Sequence, residues 1–219
     1  MGKIVAAVHA ARAALPPCDL VVVVASGSAA LYDSGTADLS GIGRPDIVAD
    51  AAVASEAVAR LSAGTLYPML RGTPLPLDLA VLLLLLDSAA PVVPMTVPAS
   101  AGFEALTGIG AAIARSLADL SVRAGIVVAG DLSTGLTEKS PRHLVPGAIF
   151  WDEQAVAAVD GGRLDGLGRL GPEEAARVGA SGWAPLAVLH GATARAKLGM
   201  VVRHYSAPRG AGYLVAHGG

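Results

Sequence analysis

The sequence is poor in the residue types that build disulfides, thiolate metal sites and nucleic-acid-binding surfaces. Cys18 is the only cysteine among 219 residues, so neither an intrachain disulfide nor a multi-cysteine metal site can form. Charged residues make up 16% of the chain, against about 25% in a typical soluble domain. The 16 Lys+Arg and 18 Asp+Glu form no basic block, and binding along a phosphate backbone requires clustered cations. We therefore expect no nucleic-acid partner, and the single cysteine favours a reducing, cytoplasmic location.

Long hydrophobic runs are also missing, although hydrophobic residues reach 53% of the chain, a share that excludes intrinsic disorder. The most apolar stretch, residues 79–86, is bounded by Asp78 and Asp87, whereas a membrane-spanning helix needs about 20 apolar residues. The first residues are interrupted by His9 and Arg12, which does not fit a secretory signal. We expect no membrane association. A surface with few charges can leave an apolar patch for a second copy of the chain to cover, so a homo-oligomer is a candidate assembly.

The hydrophobic periodicity alternates between the spacing of strands and that of helices, which predicts an α/β domain. The β-branched run at residues 20–24 is typical of a strand buried on both faces. Apolar residues recur every three or four positions along residues 103–120, as in an amphipathic helix. Residues 126–129 are predicted to form the next buried strand, and residues 200–205 and 212–216 a terminal hairpin.

Three further segments are less regular. Residues 26–46 are rich in Gly, Ser and Asp without periodicity, which predicts a loop longer than the usual connection of about 4–6 residues. Residues 92–97 form a strand pattern interrupted by Pro94, which predicts a position near a sheet edge or a bulge. Gly108-Ile-Gly110 lacks the third glycine of a dinucleotide-binding turn and lies inside a predicted helix, so close helix packing is the favoured interpretation.

The most distinctive polar segment, residues 130–141, directly follows the predicted strand at 126–129. In open α/β sheets ligands bind at the carboxyl ends of the strands. Asp131, Ser133, Thr134 and Lys139 are therefore candidates to converge on a small polar ligand. The alternative is a turn in which Asp131 and Ser133 bond nearby backbone amides, since both are turn-forming residue types.

From this segment onward the sequence resembles the catalytic subunits of class III extradiol ring-cleavage dioxygenases, and above all their Memo-like and actinobacterial relatives. The resemblance covers residues 126–216 with consistent order and spacing. It implies one domain over residues 1–219 with a central mixed β-sheet flanked by helices. The matching pieces are Gly130-Asp-Leu-Ser133, Pro141, Phe150-Trp-Asp152, Ser181-Gly-Trp-Ala-Pro-Leu186, Leu189-His-Gly-Ala192 and the glycine-rich segment at 205–216.

The family's chemistry uses two histidines and a carboxylate on Fe(II), with a further histidine as acid/base. The first iron histidine belongs to an N-terminal Pro-His segment without a counterpart here, and the second matches Gly72-Thr-Pro-Leu75. The acid/base histidine position holds Thr134, and the third ligand, a cysteine in the Memo-like branch, matches Ser181. Hydroxyl groups do not replace imidazole and carboxylate as Fe(II) ligands at neutral pH. The comparison implies a retained fold, lost iron chemistry and no cofactor.

The leading hypothesis is thus a non-catalytic or functionally reassigned member of this superfamily that binds a small polar or aromatic ligand at the strand ends. One alternative is an active Fe(II)-dependent dioxygenase with unrecognised ligands, for which His9, His143 and Asp131 would have to meet in space. A second alternative is a structural protein whose apolar surface builds an oligomer. The residues expected to line or flank the pocket are Asp131, Ser133, Thr134, Ser181, Lys139 and Asp152.

Overall fold

The computed structural model describes residues 2–196 and 198–219. The helices are α1 (Gly2–Ala13), α2 (Ser55–Thr65), α3 (Leu77–Leu86), α4 (Phe103–Asp119), α5 (Ala148–Asp160), α6 (Gly171–Val178) and α7 (Trp183–Thr193). The strands are β1 (Leu20–Ser26), β2 (Ala30–Tyr32), β3 (Thr36–Leu39), β4 (Arg44–Asp50), β5 (Met69–Leu70), β6 (Val92–Val97), β7 (Ala124–Val128), β8 (Met200–Ser206) and β9 (Tyr213–Gly218).

The central sheet has the strand order β5-β2-β6-β1-β7. β6 and β7 run parallel to β1 on its two sides, whereas β2 runs antiparallel to β6. The sheet is therefore mixed, with helices around it, and β8 and β9 form a separate antiparallel hairpin at the C-terminal end of the chain. The predicted single α/β domain with a mixed sheet and a terminal hairpin is confirmed. The carboxyl ends of β1, β6 and β7 lie at the same end of the sheet.

β1 separates two apolar cores, as predicted for a strand buried on both faces. Val22 and Val24 face a core to which α2, α4, α5 and α7 contribute. Val21 and Val23 face a second core built with α3 and β3. None of these four side chains is more than 3% exposed. The leucine run lies on α3, and among the described residues no helix is both long and apolar enough to cross a membrane.

The prediction that Pro94 places its strand near an edge or a bulge is wrong, because β6 is the middle strand of the sheet and pairs with β1 without a register shift. Pro94 has no N–H to donate, and none is needed on the side of β6 toward which its nitrogen points. On that side the backbone of Val92 bonds to residues 52–54, and β2 pairs only with residues 95–96. Pro94 lies between these two contacts, where no partner strand needs a donor.

The prediction of a loop over residues 26–46 is also wrong. β2, β3, a 3-10 turn at Ser40–Ile42 and the start of β4 occupy this segment. β2 pairs with β6 and β5, and β3 pairs with β4 as a separate two-stranded sheet. β2 and β3 are short, and β4 is exposed along almost its whole length, so their side chains carry little of the apolar pattern that identifies a strand.

The strand predicted as buried at residues 126–129 is found at Ala124–Val128, but at an edge of the sheet. All of its residues are partly exposed. Apolar sequence alone does not distinguish a central strand from an edge strand, because the difference lies in which neighbours the fold supplies.

Close packing of small residues between helices, the favoured interpretation of Gly108-Ile-Gly110, is confirmed for Gly110. An ideal Cβ on Gly110 in α4 would lie 2.0 Å from the carbonyl oxygen of Val188 in α7. On the facing helix, a Cβ on Gly191 would lie 2.0 Å from the carbonyl oxygen of Thr107. The two helices therefore meet backbone to backbone.

Candidate functional site

Hydrogen bonds join Ser26, Asp131 and Ser181 where β1 and β7 end and α7 begins. The Ser26 hydroxyl at the end of β1 donates to the carbonyl oxygen of Ser181 at 2.6 Å. The Asp131 N–H donates to Ser181 Oγ at 2.9 Å, and the Gly182 N–H donates to the Asp131 carbonyl oxygen at 2.8 Å. We call Ser26, Asp131 and Ser181 the strand-end cluster. Its hydrogen bonds fix the backbone of Asp131 on both sides.

The carboxylate of Asp131 has no hydrogen bond or ion pair with any described residue, although the side chain is half-buried. Burial raises the pKa of this carboxyl above its ordinary value, and the negative charge of Asp78 in the first turn of α3 raises that pKa further. The turn interpretation, in which the Asp131 and Ser133 side chains bond nearby amides, is wrong, because no described amide donates to either side chain. The Ser133 hydroxyl instead lies 3.4 Å from the carbonyl oxygen of Ala148. The Ser181 hydroxyl, which accepts from the Asp131 backbone, has no acceptor for its own hydrogen among the described residues. The cluster thus joins the residue that carries an unpaired carboxylate to a hydroxyl group that is free to donate.

Ser133 and Asp152 belong to a second cluster, which is filled by protein atoms. Asp152 is 1% exposed and accepts hydrogen bonds from the Ser133 N–H at 2.8 Å and from the Tyr205 hydroxyl at 2.7 Å. An ideal Cβ on Gly212 would lie 2.1 Å from Asp152 Oδ2. We call Ser133, Asp152 and Tyr205 the hairpin anchor, because it joins α5 and the segment after β7 to the terminal hairpin. It leaves no room for a ligand.

Thr134 and Lys139 make no hydrogen bond with the strand-end cluster. The Thr134 N–H donates to the carbonyl oxygen of Val178 at 2.9 Å, and its hydroxyl lies 3.4 Å from the carbonyl oxygen of Gly179. Lys139 is exposed. Of the predicted pocket residues, the structure thus joins Asp131 to Ser181 and Ser133 to Asp152, and it joins neither Thr134 nor Lys139 to either pair by a hydrogen bond.

The residues at the resembled family's metal positions do not fit Fe(II), because hydroxyl groups replace the imidazole and carboxylate donors that it needs. Within residues 2–196 and 198–219, no group of three His, Cys, Asp or Glu side chains is placed to hold a metal ion. His9 lies exposed on α1, and His143 is exposed with its Nδ1 3.3 Å from the carbonyl oxygen of Glu138. The structure therefore does not assemble His9, His143 and Asp131 into a ligand set.

Sequence reasoning missed Ser26, Asp78 and Tyr205. Ser26 directly ends the apolar run of β1, so a polar residue at a strand end was an available signal. Tyr205 lay inside the resembling segment, but nothing in its spacing indicated a contact with Asp152, 53 residues away along the chain.

A surface cleft of about 500 Å³ lies apart from both clusters. It lies between α5 and residues 163–170, and it includes Phe150, Arg163 and Arg169 among its lining residues. None of the predicted pocket residues lines this cleft, so the cleft and the strand-end cluster are separate features.

No protein-family profile matches the sequence, and no curated protein matches it. Solved structures do resemble it. One is the crystal structure of an uncharacterized protein from Escherichia coli K12, which is 16% identical and superposes with a TM-score of 0.64. The match covers 97% of this chain and 91% of that chain. At this identity the likeness shows a shared fold alone.

Proposed function

We propose that this chain is a non-catalytic or functionally reassigned member of the class III extradiol dioxygenase superfamily that binds a small polar or aromatic ligand at the strand-end cluster. The observation that carries the proposal is the Asp131 carboxylate, which is half-buried yet unpaired among the described residues. A partly buried charge without a partner lowers stability and is retained most readily where a ligand supplies the partner. The cytoplasmic location is proposed with it, on the cysteine content.

The chemistry of the cluster favours ligands that donate hydrogen bonds. The Asp131 carboxylate accepts from a hydroxyl or ammonium group, and the adjacent Ser181 hydroxyl donates to a ligand oxygen. The negative charge of Asp78 also acts on the Asp131 carboxyl. Anionic ligands are therefore disfavoured, whereas phenolic hydroxyls and amines are favoured.

The binding site is testable with three small probes: catechol, tyramine and benzoate. We expect tyramine and catechol to bind more tightly than benzoate in isothermal titration calorimetry, because only benzoate brings a negative charge next to that of Asp131. Asp131→Asn is expected to weaken tyramine binding by about tenfold or more, the usual effect of losing a charge-assisted hydrogen bond. The same substitution is not expected to lower stability, because it removes an unpaired charge.

Asp119→Asn, an exposed change at the end of α4, is the matched control and should leave all three affinities unchanged. Benzoate binding as tight as that of tyramine, or an Asp131→Asn variant that binds tyramine like the wild type, would contradict the assignment of the site.

The loss of iron chemistry gives a separate prediction. After anaerobic incubation with Fe(II) and desalting, elemental analysis by mass spectrometry is expected to find iron at background, because hydroxyl side chains stand at the resembled ligand positions. Catechol and protocatechuate should remain uncleaved when oxygen is admitted. About one iron per chain together with ring-cleavage product would restore the dioxygenase interpretation.

A further inference from the structure

The outer edge of β7 carries free backbone groups. The Ala129 N–H donates to the carbonyl oxygen of Val24 at 2.9 Å, so the odd-numbered residues of this segment face β1. By alternation, the N–H and C=O groups of Ala124, Ile126 and Val128 point away from the sheet. No described residue bonds to them, since β7 pairs with β1 alone.

The other strand edges carry features that oppose pairing with another chain. β5, at the opposite edge of the sheet, has two residues. The β3–β4 hairpin carries Asp38 and Asp46 and a register shift, and the β8–β9 hairpin carries Arg203 and another register shift. β7 reads Ala-Gly-Ile-Val-Val and has no charge, proline or bulge. Proteins normally protect an exposed apolar edge of this kind, so its lack of protection indicates that the edge is covered.

We propose that β7 pairs antiparallel with β7 of a second copy of this chain, about a two-fold axis at Ile126. Ile126 then lies opposite Ile126, and Ala124 opposite Val128, and each pair exchanges both of its N–H···O bonds. Every outward-facing group of the strand finds a partner in this register. The two central sheets become one continuous sheet across the dimer.

The side chains and charges of β7 are compatible with pairing to β7 of a second copy. In this register Gly125 lies opposite Val127, so a small residue faces a larger one. Arg123 lies opposite Ala129, and it is already paired with Asp19 at 3.1 Å in its own chain. No like charges meet, and the isologous symmetry satisfies both copies at once.

Amide exchange of the wild-type chain tests the pairing without a variant. We expect the Ile126 and Val128 amides to exchange about tenfold more slowly well above the dimer dissociation constant than well below it, because only the monomer exposes them. The Val127 amide faces β1 and should be protected at both concentrations. A monomer at all concentrations overturns the proposal. So does a dimer whose Ile126 and Val128 amides stay fast, or protection that does not depend on concentration.

Ala124→Pro provides the second test, read by sedimentation equilibrium. Proline removes an outward-facing N–H, leaves the bonds to β1 in place and occupies the first strand position, where it is tolerated. In the symmetric dimer the substitution removes this hydrogen bond twice, so the dimer dissociation constant should rise by about tenfold or more. Ala124→Ser keeps the N–H and should dimerise like the wild type. Equal dimerisation by both variants overturns the proposal, and if Ala124→Pro does not fold the exchange measurement decides alone.

Discussion

Replacing Gly110 by alanine is expected to lower the free energy of unfolding by about 3 kcal/mol or more. A Cβ at this position would lie 2.0 Å from the Val188 carbonyl oxygen and 2.6 Å from the Ala192 nitrogen, and both are backbone atoms of α7. Backbone atoms cannot turn aside as the end of a side chain can, so α4 and α7 must move apart. That movement would also loosen the buried side chains between the two helices.

Gly108→Ala is the matched control, because nothing lies within 4 Å of a Cβ at Gly108 and the residue is an exposed position of the same helix. It should raise the free energy of unfolding by about 0.5–1 kcal/mol, since alanine is the better helix former. Urea denaturation with an unchanged slope measures both effects. Similar changes for the two variants would show that α4 and α7 are not in backbone contact.

The two glycines illustrate what the sequence could predict. Apolar spacing located α4 almost to the residue, because an amphipathic helix displays its period locally. The same spacing could not identify which glycine faces another helix, since that depends on α7, some 80 residues later. Local periodicity determines the elements, whereas the crossing of two helices is a tertiary property.

The sheet shows the same limit. The runs in β1, β6 and β7 are similarly apolar, yet β6 is central, β7 is at an edge, and the proline that suggested an edge lies in the middle strand. Strand order is determined by crossover connections and by the small strand β2, whose three residues carry almost no pattern of their own.

The candidate site was predicted in part. The rule that ligands bind at strand carboxyl ends selected Asp131, and the family resemblance selected Ser181, which the structure places beside it. The contact of Ser26 with Ser181 joins residues 155 positions apart, and no local pattern reports such a contact. Ser133 follows Asp131 by two positions but points into the hairpin anchor, because the chain there pairs with Gly212.

The hairpin anchor provides the second large expected effect. Asp152→Ala should lower the free energy of unfolding by about 3 kcal/mol, because it removes the acceptor of two hydrogen bonds and leaves the fully buried Ser133 N–H unsatisfied. Asp160→Ala is the matched control: Asp160 ends the same helix and accepts a hydrogen bond from Val202 of the same hairpin, but it is exposed. Its loss should cost less than about 1 kcal/mol. Equal losses of free energy of unfolding for the two variants, measured by thermal or urea denaturation, would mean that the buried hydrogen bonds of Asp152 stabilise the protein no more than the exposed one of Asp160.

The negative charge of Asp152 destabilises the folded state, whereas its hydrogen bonds stabilise it. The dependence of stability on pH separates these two contributions. Burial raises the pKa of this carboxyl, outweighing the bonds from Tyr205 and Ser133, which lower it. The folded state therefore holds the proton more tightly than the unfolded state, whose pKa is about 3.9. The resulting stabilisation is complete below that pH and is lost as the pH rises through the folded-state pKa. Relative to Asp152→Asn, which cannot ionise, the wild type should lose free energy of unfolding as the pH rises from 4 to 8. A relative gain over the same range would mean that the two donors stabilise the carboxylate more than burial destabilises it, and the anchor would then be strongest when charged.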